Sequence, residues 1–264
     1  MGCFLTNSSL GRKLVMSISG CFLVLFLLFH MAMNVVALIG DGSAYNMICG
    51  FLGANWYALV GTAVLALGVL VHFVYAFILT WQNRKARGNV RYAVTVTEKG
   101  VDWASKNMLV LGIIVILGLL LHLTHFWSEM MLVELMGEHE NGLGLAPTDG
   151  AALIRITFSQ WYNVVLYLVW FAALWFHLNH GVWSMFQTAG FANDTWLPRL
   201  KCVAKVVSGV IFLGFAVVAV VFFVKSLCGD CCACCCGAEH VHAAVETATE
   251  AVVEAAAEVV APAN

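Results

Sequence analysis

The sequence predicts an all-α integral membrane protein with five transmembrane helices. Hydrophobic residues make up 62% of the 264 residues and charged residues only 11%, a balance outside the range of soluble globular domains. A hydrocarbon core of roughly 30 Å needs about 20 helical residues to cross it. Five apolar stretches are long enough, and none contains Asp or Glu: 14–39, 56–81, 108–127, 160–186 and 203–224.

Basic and acidic residues divide between alternate connections of these helices. With the N-terminus on the cytoplasmic side, eleven of the 13 Lys and Arg residues lie in cytoplasmic segments, and twelve of the 15 acidic residues lie outside. The positive-inside rule then predicts a cytoplasmic N-terminus and, after five crossings, an outside C-terminus. The first apolar stretch is longer than the roughly 7 to 15 residues of a signal peptide, so we expect it to remain as a helix.

The chain divides into a membrane domain, residues 1–227, and a tail, residues 228–264. The tail begins with six cysteines within nine residues, CGDCCACCC, and continues as a run rich in Ala, Val and Glu. A zinc site needs four ligands spaced so that they can surround the ion, and this crowding is unlike that of an ordered zinc finger. We therefore predict a disordered or loosely helical tail.

Histidine is the unusual residue in the apolar stretches. An imidazole at bilayer depth must find a helix neighbour, a proton path or a metal, because no water is present to hydrogen-bond it. Four stretches carry histidine, and the fifth has none and is predicted to support the bundle from outside. The positions are His30, His72, His122, His125, His177 and His180.

The predicted topology sorts these histidines into two layers. At a rise of 1.5 Å per residue, His30 and His125 lie about 24 and 26 Å from the cytoplasmic starts of their helices, close to the outer face. His72 and His177 lie on descending helices, roughly 24 to 26 Å from the outer face and therefore close to the inner one. Each layer thus receives one histidine from each of two helices.

Two imidazoles that face each other across a helical bundle are the axial ligands that a six-coordinate haem iron requires. Four of the five helices are therefore predicted to form a bundle that binds two haems and transfers single electrons. His122 with His125, and His177 with His180, are each three residues apart and share a helix face. Spacing alone does not choose between the members of either pair.

The segments around the histidines resemble a known family, the cytochrome b membrane anchor of di-haem succinate dehydrogenases and quinol:fumarate reductases, of the five-helix, single-subunit type. The resemblance covers about residues 11–225. It rests on FHMAMN at His30, VHFVY at His72, THFW at His125 and FHLNHGVW at His177. One departure is Trp175, which stands where some relatives carry an acidic residue.

The resemblance implies two haem b groups with named ligands. His72 and His177 would bind the inner haem iron, and His30 and His125 the outer one, leaving His122 and His180 beside the ligands or the haem propionates. It also implies a quinone, menaquinone in our interpretation, bound near the outer end around residues 41–56 and 127–129. No catalytic residue is expected in this subunit.

The implied function is electron transfer between quinone and a cytoplasmic iron–sulfur subunit, within a succinate dehydrogenase or fumarate reductase of the bacterial inner membrane. A flavoprotein subunit would carry out the succinate and fumarate chemistry, and a dimer of complexes is compatible with this arrangement. The basic segment 84–106 would face these two protein partners. The chain is also expected to contact membrane lipid and not to bind nucleic acid.

Two other functions fit parts of the pattern. A di-haem cytochrome b of a membrane hydrogenase or formate dehydrogenase would use two histidines of one helix, such as His122 with His125. A transporter would use the intramembrane histidines as ion ligands. Reduced b-type absorption bands separate the haem proteins from the transporter, and the co-purifying subunits separate the two haem proteins.

Overall fold

The computed structural model describes residues 8–87, 103–191 and 193–228. All but the first residue of the predicted tail, and most of the basic segment 84–106, lie outside these described residues. In the described part of the chain every regular element is a helix.

Five helices are long and apolar enough to cross a membrane, which confirms the predicted number of spans. We call them the first to fifth spans: Ser9–Leu38, Trp56–Ala86, Met108–Leu135, Trp161–Thr188 and Trp196–Cys228. Each is longer than its predicted apolar stretch, and the fifth begins at Trp196 rather than at residue 203. The first span ends in a 3₁₀ turn, Val36–Leu38, and the helix of the second continues to Arg87.

Short helices lie at both ends of the bundle. The end that carries the connections 39–55 and 136–160, with Asp41, Glu138 and Asp149, is called the acidic end; the opposite end, with Arg12, Lys13 and Lys106, is called the basic end. Trp103–Lys106 precedes the third span at the basic end. Ser43–Phe51 and Gly150–Ser159 lie at the acidic end.

The best-buried packing joins the fourth and fifth spans. Tyr167 and Phe171 of the fourth span belong to one buried cluster with Val218, Ala219 and Phe222 of the fifth. The fifth span also packs against the first. It is therefore a central part of the bundle rather than the peripheral support that its lack of histidine suggested, whereas no residue in the most apolar window of the second span is buried.

The two short helices at the acidic end hold each other in place. The side chain of Asn46 donates to Asp149 Oδ1 at 2.8 Å and accepts from the backbone N–H of Ala151 at 2.9 Å. Asp149 in turn caps the Gly150–Ser159 helix by accepting from the N–H of Ala152. Burial raises the pKa of the Cys49 thiol to about 11, so the thiol remains neutral.

The Gly150–Ser159 helix, in the connection between the third and fourth spans, is largely buried. Leu153, Ile154 and Phe158 are 2%, 1% and 4% exposed, because the helix packs against the fifth span as well as the Ser43–Phe51 helix. A Cβ at Gly150 would crowd the side chains of Cys49 and Tyr45. This close approach explains a glycine at the first helical position.

The third span departs most from its prediction. It is an α-helix over Met108–His122, a π-helix over Leu123–Leu132 and an α-helix again over Val133–Leu135. The span therefore continues past the predicted end at residue 127 and includes Glu129 and Glu134. The expectation that the spans contain no carboxylate is wrong for this one.

Candidate functional site

One histidine pair lies between the second and fourth spans. The ring centroids of His72 and His177 are 6.3 Å apart, with the ring planes at 67°. Two imidazoles bound to opposite sides of one metal ion, at about 2 Å from each nitrogen, would have centroids about 6 Å apart. The two spans thus bring together the histidines that the resemblance assigned to the inner haem, at a separation that suits a shared metal.

Ser19 of the first span lies within hydrogen-bonding distance of His72. Its hydroxyl lies 3.1 Å from the Met16 carbonyl, to which it donates, and 3.2 Å from His72 Nδ1. A serine hydroxyl has one proton, so with that proton on Met16 the oxygen accepts from Nδ1–H. The neutral imidazole then keeps a lone pair on Nε2, which is the form that binds a metal.

Glycines of the first and third spans lie next to this pair. A Cβ at Gly20 would lie 3.4 Å from His72 Cε1, and a Cβ at Gly112 would lie 3.8 Å from His177 Cε1. His177 Nδ1 is buried and has no hydrogen-bond partner among the described residues. Glycines on the first and third spans, together with this orphaned nitrogen, fit a bulky flat group held by His72 and His177.

The second pair joins the first and third spans. The ring centroids of His30 and His122 are 5.7 Å apart, with the planes at 80°. Phe26 stacks on His30 at 5.4 Å, and Phe215 of the fifth span lies 5.8 Å from it. The residues around this pair are therefore aromatic, which favours a buried apolar group.

Asn34 connects His30 to the acidic end. Its amide nitrogen donates to the His30 carbonyl at 2.8 Å and lies 3.5 Å from His30 Nε2. Its amide oxygen accepts from the Tyr45 hydroxyl at 3.1 Å. The Ser43–Phe51 helix thereby helps to set the position of the His30 turn.

His125 lies away from His30, although the resemblance assigned both to the outer haem. Its ring stacks against Tyr167 of the fourth span at 5.9 Å and 18°, and its Nδ1 lies 3.3 Å from the Tyr167 hydroxyl. The π-helix begins immediately after His122. Because its turn is wider than an α-helical turn, three residues no longer bring His125 onto the face of His122.

Trp170 lies between the two pairs. Its indole N–H donates to the Val115 carbonyl at 3.0 Å, its ring is 5.8 Å from that of His122, and it covers Gly118 so closely that a Cβ there would collide with it. His177 follows seven residues later, about 10 Å along the helix axis. Trp170 thus packs the fourth span against the third beside His122.

The remaining intramembrane histidine belongs to neither pair. The ring of His180 lies 5.0 Å from that of Trp183, edge to face, towards the basic end. In the described ranges, no group of three or more His, Cys, Asp or Glu side chains is placed to hold a metal ion. Each candidate site therefore consists of two imidazoles from two different spans.

Models of protein families, curated proteins and solved structures were each compared with the chain, and none of them matches it.

Proposed function

We propose that the chain is the membrane anchor and electron-transfer subunit of a succinate:quinone oxidoreductase, a succinate dehydrogenase or fumarate reductase of the bacterial inner membrane. The observation that carries the proposal is the presence of two histidine pairs, each built from two different spans and lying at different levels of one bundle. His72 with His177 is the inner pair, and His30 with His122 is the outer pair.

The two pairs fit two b haems. A haem iron with two imidazole ligands transfers single electrons and has no open position for oxygen. His72 and His177 would hold one haem, with Ser19 keeping His72 in the binding tautomer. Phe26 and Phe215 would lie beside the second haem, because both rings contact His30.

The outer haem has two candidate ligands on the third span. The resemblance favours His125, and this assignment stays a prediction. The contacts favour His122, because it faces His30 whereas His125 stacks on Tyr167. We adopt His122 for the proposed site.

The orientation follows from charge. Arg12 and Lys13 at the start of the first span, and Lys106 before the third, share the basic end; the positive-inside rule assigns this end to the cytoplasm. The inner pair is the nearer of the two to this end, because His72 lies beside Ser19 and His177 beside Gly112, and these residues precede His30 and His122 on the same spans by about ten residues, roughly 15 Å. An iron–sulfur subunit docked there would exchange electrons with the inner haem, and a flavoprotein bound to it would carry out the succinate chemistry.

The partner subunits provide the test. The chain, purified under mild detergent from its native membrane, should bring with it a flavoprotein and an iron–sulfur protein, and the complex should reduce fumarate or oxidise succinate. Covalent or tightly bound flavin would be detected by its absorption, and the partners by mass spectrometry. Co-purification of a hydrogenase or a formate dehydrogenase would instead assign the subunit to that class of enzyme.

A further inference from the structure

The π-helix of the third span separates two histidines that an α-helix would present on one face. It runs over Leu123–Leu132 and begins directly after His122. The ring of His122 lies 5.7 Å from that of His30, whereas His125 stacks on Tyr167 at 5.9 Å. In a continuous α-helix, residues three apart lie within about 60° of each other around the axis. The helix type thus determines which histidine faces the first span.

The end of a π-helix has a cost in hydrogen bonding. Its carbonyls pair with the N–H five residues later, whereas those of an α-helix pair with the N–H four residues later. Where the first pattern returns to the second, one carbonyl is skipped and loses its helical donor. A buried acceptor without a donor costs free energy, so a donor from outside the helix at this point stabilises the π form.

Asn141 supplies such a donor. In an α-helix the Glu129 carbonyl would accept from the N–H of Val133, but this N–H donates to the Met130 carbonyl instead. The side-chain amide of Asn141 donates to the Glu129 carbonyl at 3.2 Å. Asn141 is 8% exposed, so water does not readily replace it. A return to α-helical pairing would make this donor unnecessary.

The turn that contains Asn141 fixes the direction of its amide. The side-chain oxygen accepts from the N–H groups of Leu143 and Leu145, at 2.9 and 3.1 Å. The backbone N–H of Asn141 donates to the Leu145 carbonyl, and the N–H of Gly144 donates to the Asn141 carbonyl, both at 2.9 Å. Because two donors require the oxygen on their side, the amide nitrogen faces the π-helix.

Hydroxyl groups act in a similar way inside the helix. Ser128 Oγ donates at 2.6 Å to the Thr124 carbonyl, the acceptor of the Ser128 backbone N–H in an α-helix. Thr124 Oγ1 donates at 2.8 Å to the Leu121 carbonyl, just before the π-helix begins. Side-chain bonds of this kind compete with the pairing of the helix backbone. They therefore offset part of the cost of leaving the α form.

Tyr167 occupies the place to which the π-helix brings His125. Its hydroxyl lies 3.3 Å from His125 Nδ1, and the residue is 1% exposed. A buried tyrosine hydroxyl usually needs a hydrogen-bond partner, and His125 provides one. This contact stabilises the arrangement in which His122 faces His30.

We propose that Asn141, together with the Ser128 hydroxyl, holds the third span in its π form and thereby selects His122 rather than His125 as the partner of His30 at the outer haem. The haem itself rests on the proposed function. Asn141 and Ser128 are positioning residues, because they act through the helix backbone. Loss of the Asn141 donor lets the segment return to α-helical pairing, in which either histidine of the third span can bind.

Restoration of a lost haem tests the proposal, and haem is counted in the purified complex by a pyridine haemochrome assay. His122→Ala alone should contain one haem per chain. Asn141→Asp removes the amide donor but keeps the oxygen that organises the 141–145 turn. His122→Ala combined with Asn141→Asp should therefore contain two haems, because His125 replaces the missing ligand. Adding His125→Ala to this pair should lower the count to one again.

Ser128→Ala gives a second test that leaves the 141–145 turn unchanged. Combined with His122→Ala it should also restore the second haem, whereas Ser128→Thr, which keeps the hydroxyl, should not. Ser226→Ala is the matched control. Ser226 Oγ donates to the Phe223 carbonyl at 2.7 Å within a continuous α-helix, so its loss together with His122→Ala should leave the count at one.

A second haem in either double variant, lost again when His125 is also replaced, supports the proposal, because a mere loss of packing would remove haem rather than restore it. Two haems in His122→Ala alone, one or none in both double variants, or two in the variant that lacks both histidines would overturn it. If the wild-type complex contains two haems, such a result leaves the proposed function intact. A wild-type complex without haem would overturn both.

Discussion

The imidazole of His30 faces that of His122, with the ring centroids 5.7 Å apart. The chain offers His125 three residues later, and the resemblance to di-haem anchors favours that residue. In the structure His125 is stacked on Tyr167 instead. Substitution of each histidine can therefore show whether His122 or His125 binds the outer haem together with His30.

We expect His30→Ala and His122→Ala to remove the same haem, because the two rings form the outer pair. His125→Ala should keep both haems. The haems are distinguished by their midpoint potentials in a redox titration of the absorption bands. If His125→Ala loses the outer haem while His122→Ala retains both, the resemblance is right and the contact geometry does not identify the ligand.

The inner pair gives a parallel prediction. His72→Ala and His177→Ala should each remove the inner haem and leave the outer one, since both rings would bind one iron. His180→Ala is the control, because His180 packs against Trp183 rather than against His72. Removal of different haems by the His72 and His177 variants would show that these histidines do not share a site.

Ser19→Ala should raise the midpoint potential of the inner haem. The Nδ1–H bond to Ser19 makes His72 a stronger electron donor, and removal of such outer hydrogen bonds typically weakens metal binding by about 10- to 100-fold. Ser19→Thr should restore the wild-type potential, because it keeps the hydroxyl. Ser17→Ala serves as the control, since residue 17 lies about 200° around the helix from residue 19; equal shifts in the two alanine variants would contradict the account.

Gly118→Ala should destabilise the bundle. Its Cβ would collide with the Trp170 indole, and overpacking of this kind costs about 1 to 3 kcal/mol. A thermal melt followed by loss of the haem absorption would show a lower midpoint. Gly209→Ala, where no described atom lies within 4 Å of the added Cβ, should melt at or above the wild-type temperature, and a similar loss in both variants would point to helix backbone effects instead of Trp170.

Hydropathy was sufficient to predict the five spans, because length and apolarity decide whether a helix can cross a bilayer. It placed the end of the third span too early. Trp127 and Glu129 are typical of a helix end at the interface, yet Met130, Met131 and Leu132 continue the helix. One carboxylate oxygen of Glu129, Oε2, is buried, and this burial depends on tertiary packing that the local sequence does not reveal.

The histidine pairs were predictable only in part. Depth along the helices placed His72 level with the fourth-span histidines, and the resemblance selected His177 from them. The structure places the ring centroids of His72 and His177 6.3 Å apart. Depth could not separate His122 from His125, because one α-helical turn covers both. Their separation depends on the π-helix that begins at Leu123, and no pattern in the residues signals that change of helix type.

The haem content of the purified chain tests the central claim most directly. A pyridine haemochrome assay against protein concentration, followed by a redox titration of the reduced b-type bands, should give two haems per chain with two distinct midpoint potentials. Each alanine variant of His72 and His177 should contain one. A wild-type protein without reduced b-type bands, isolated intact with its partners, would contradict the account.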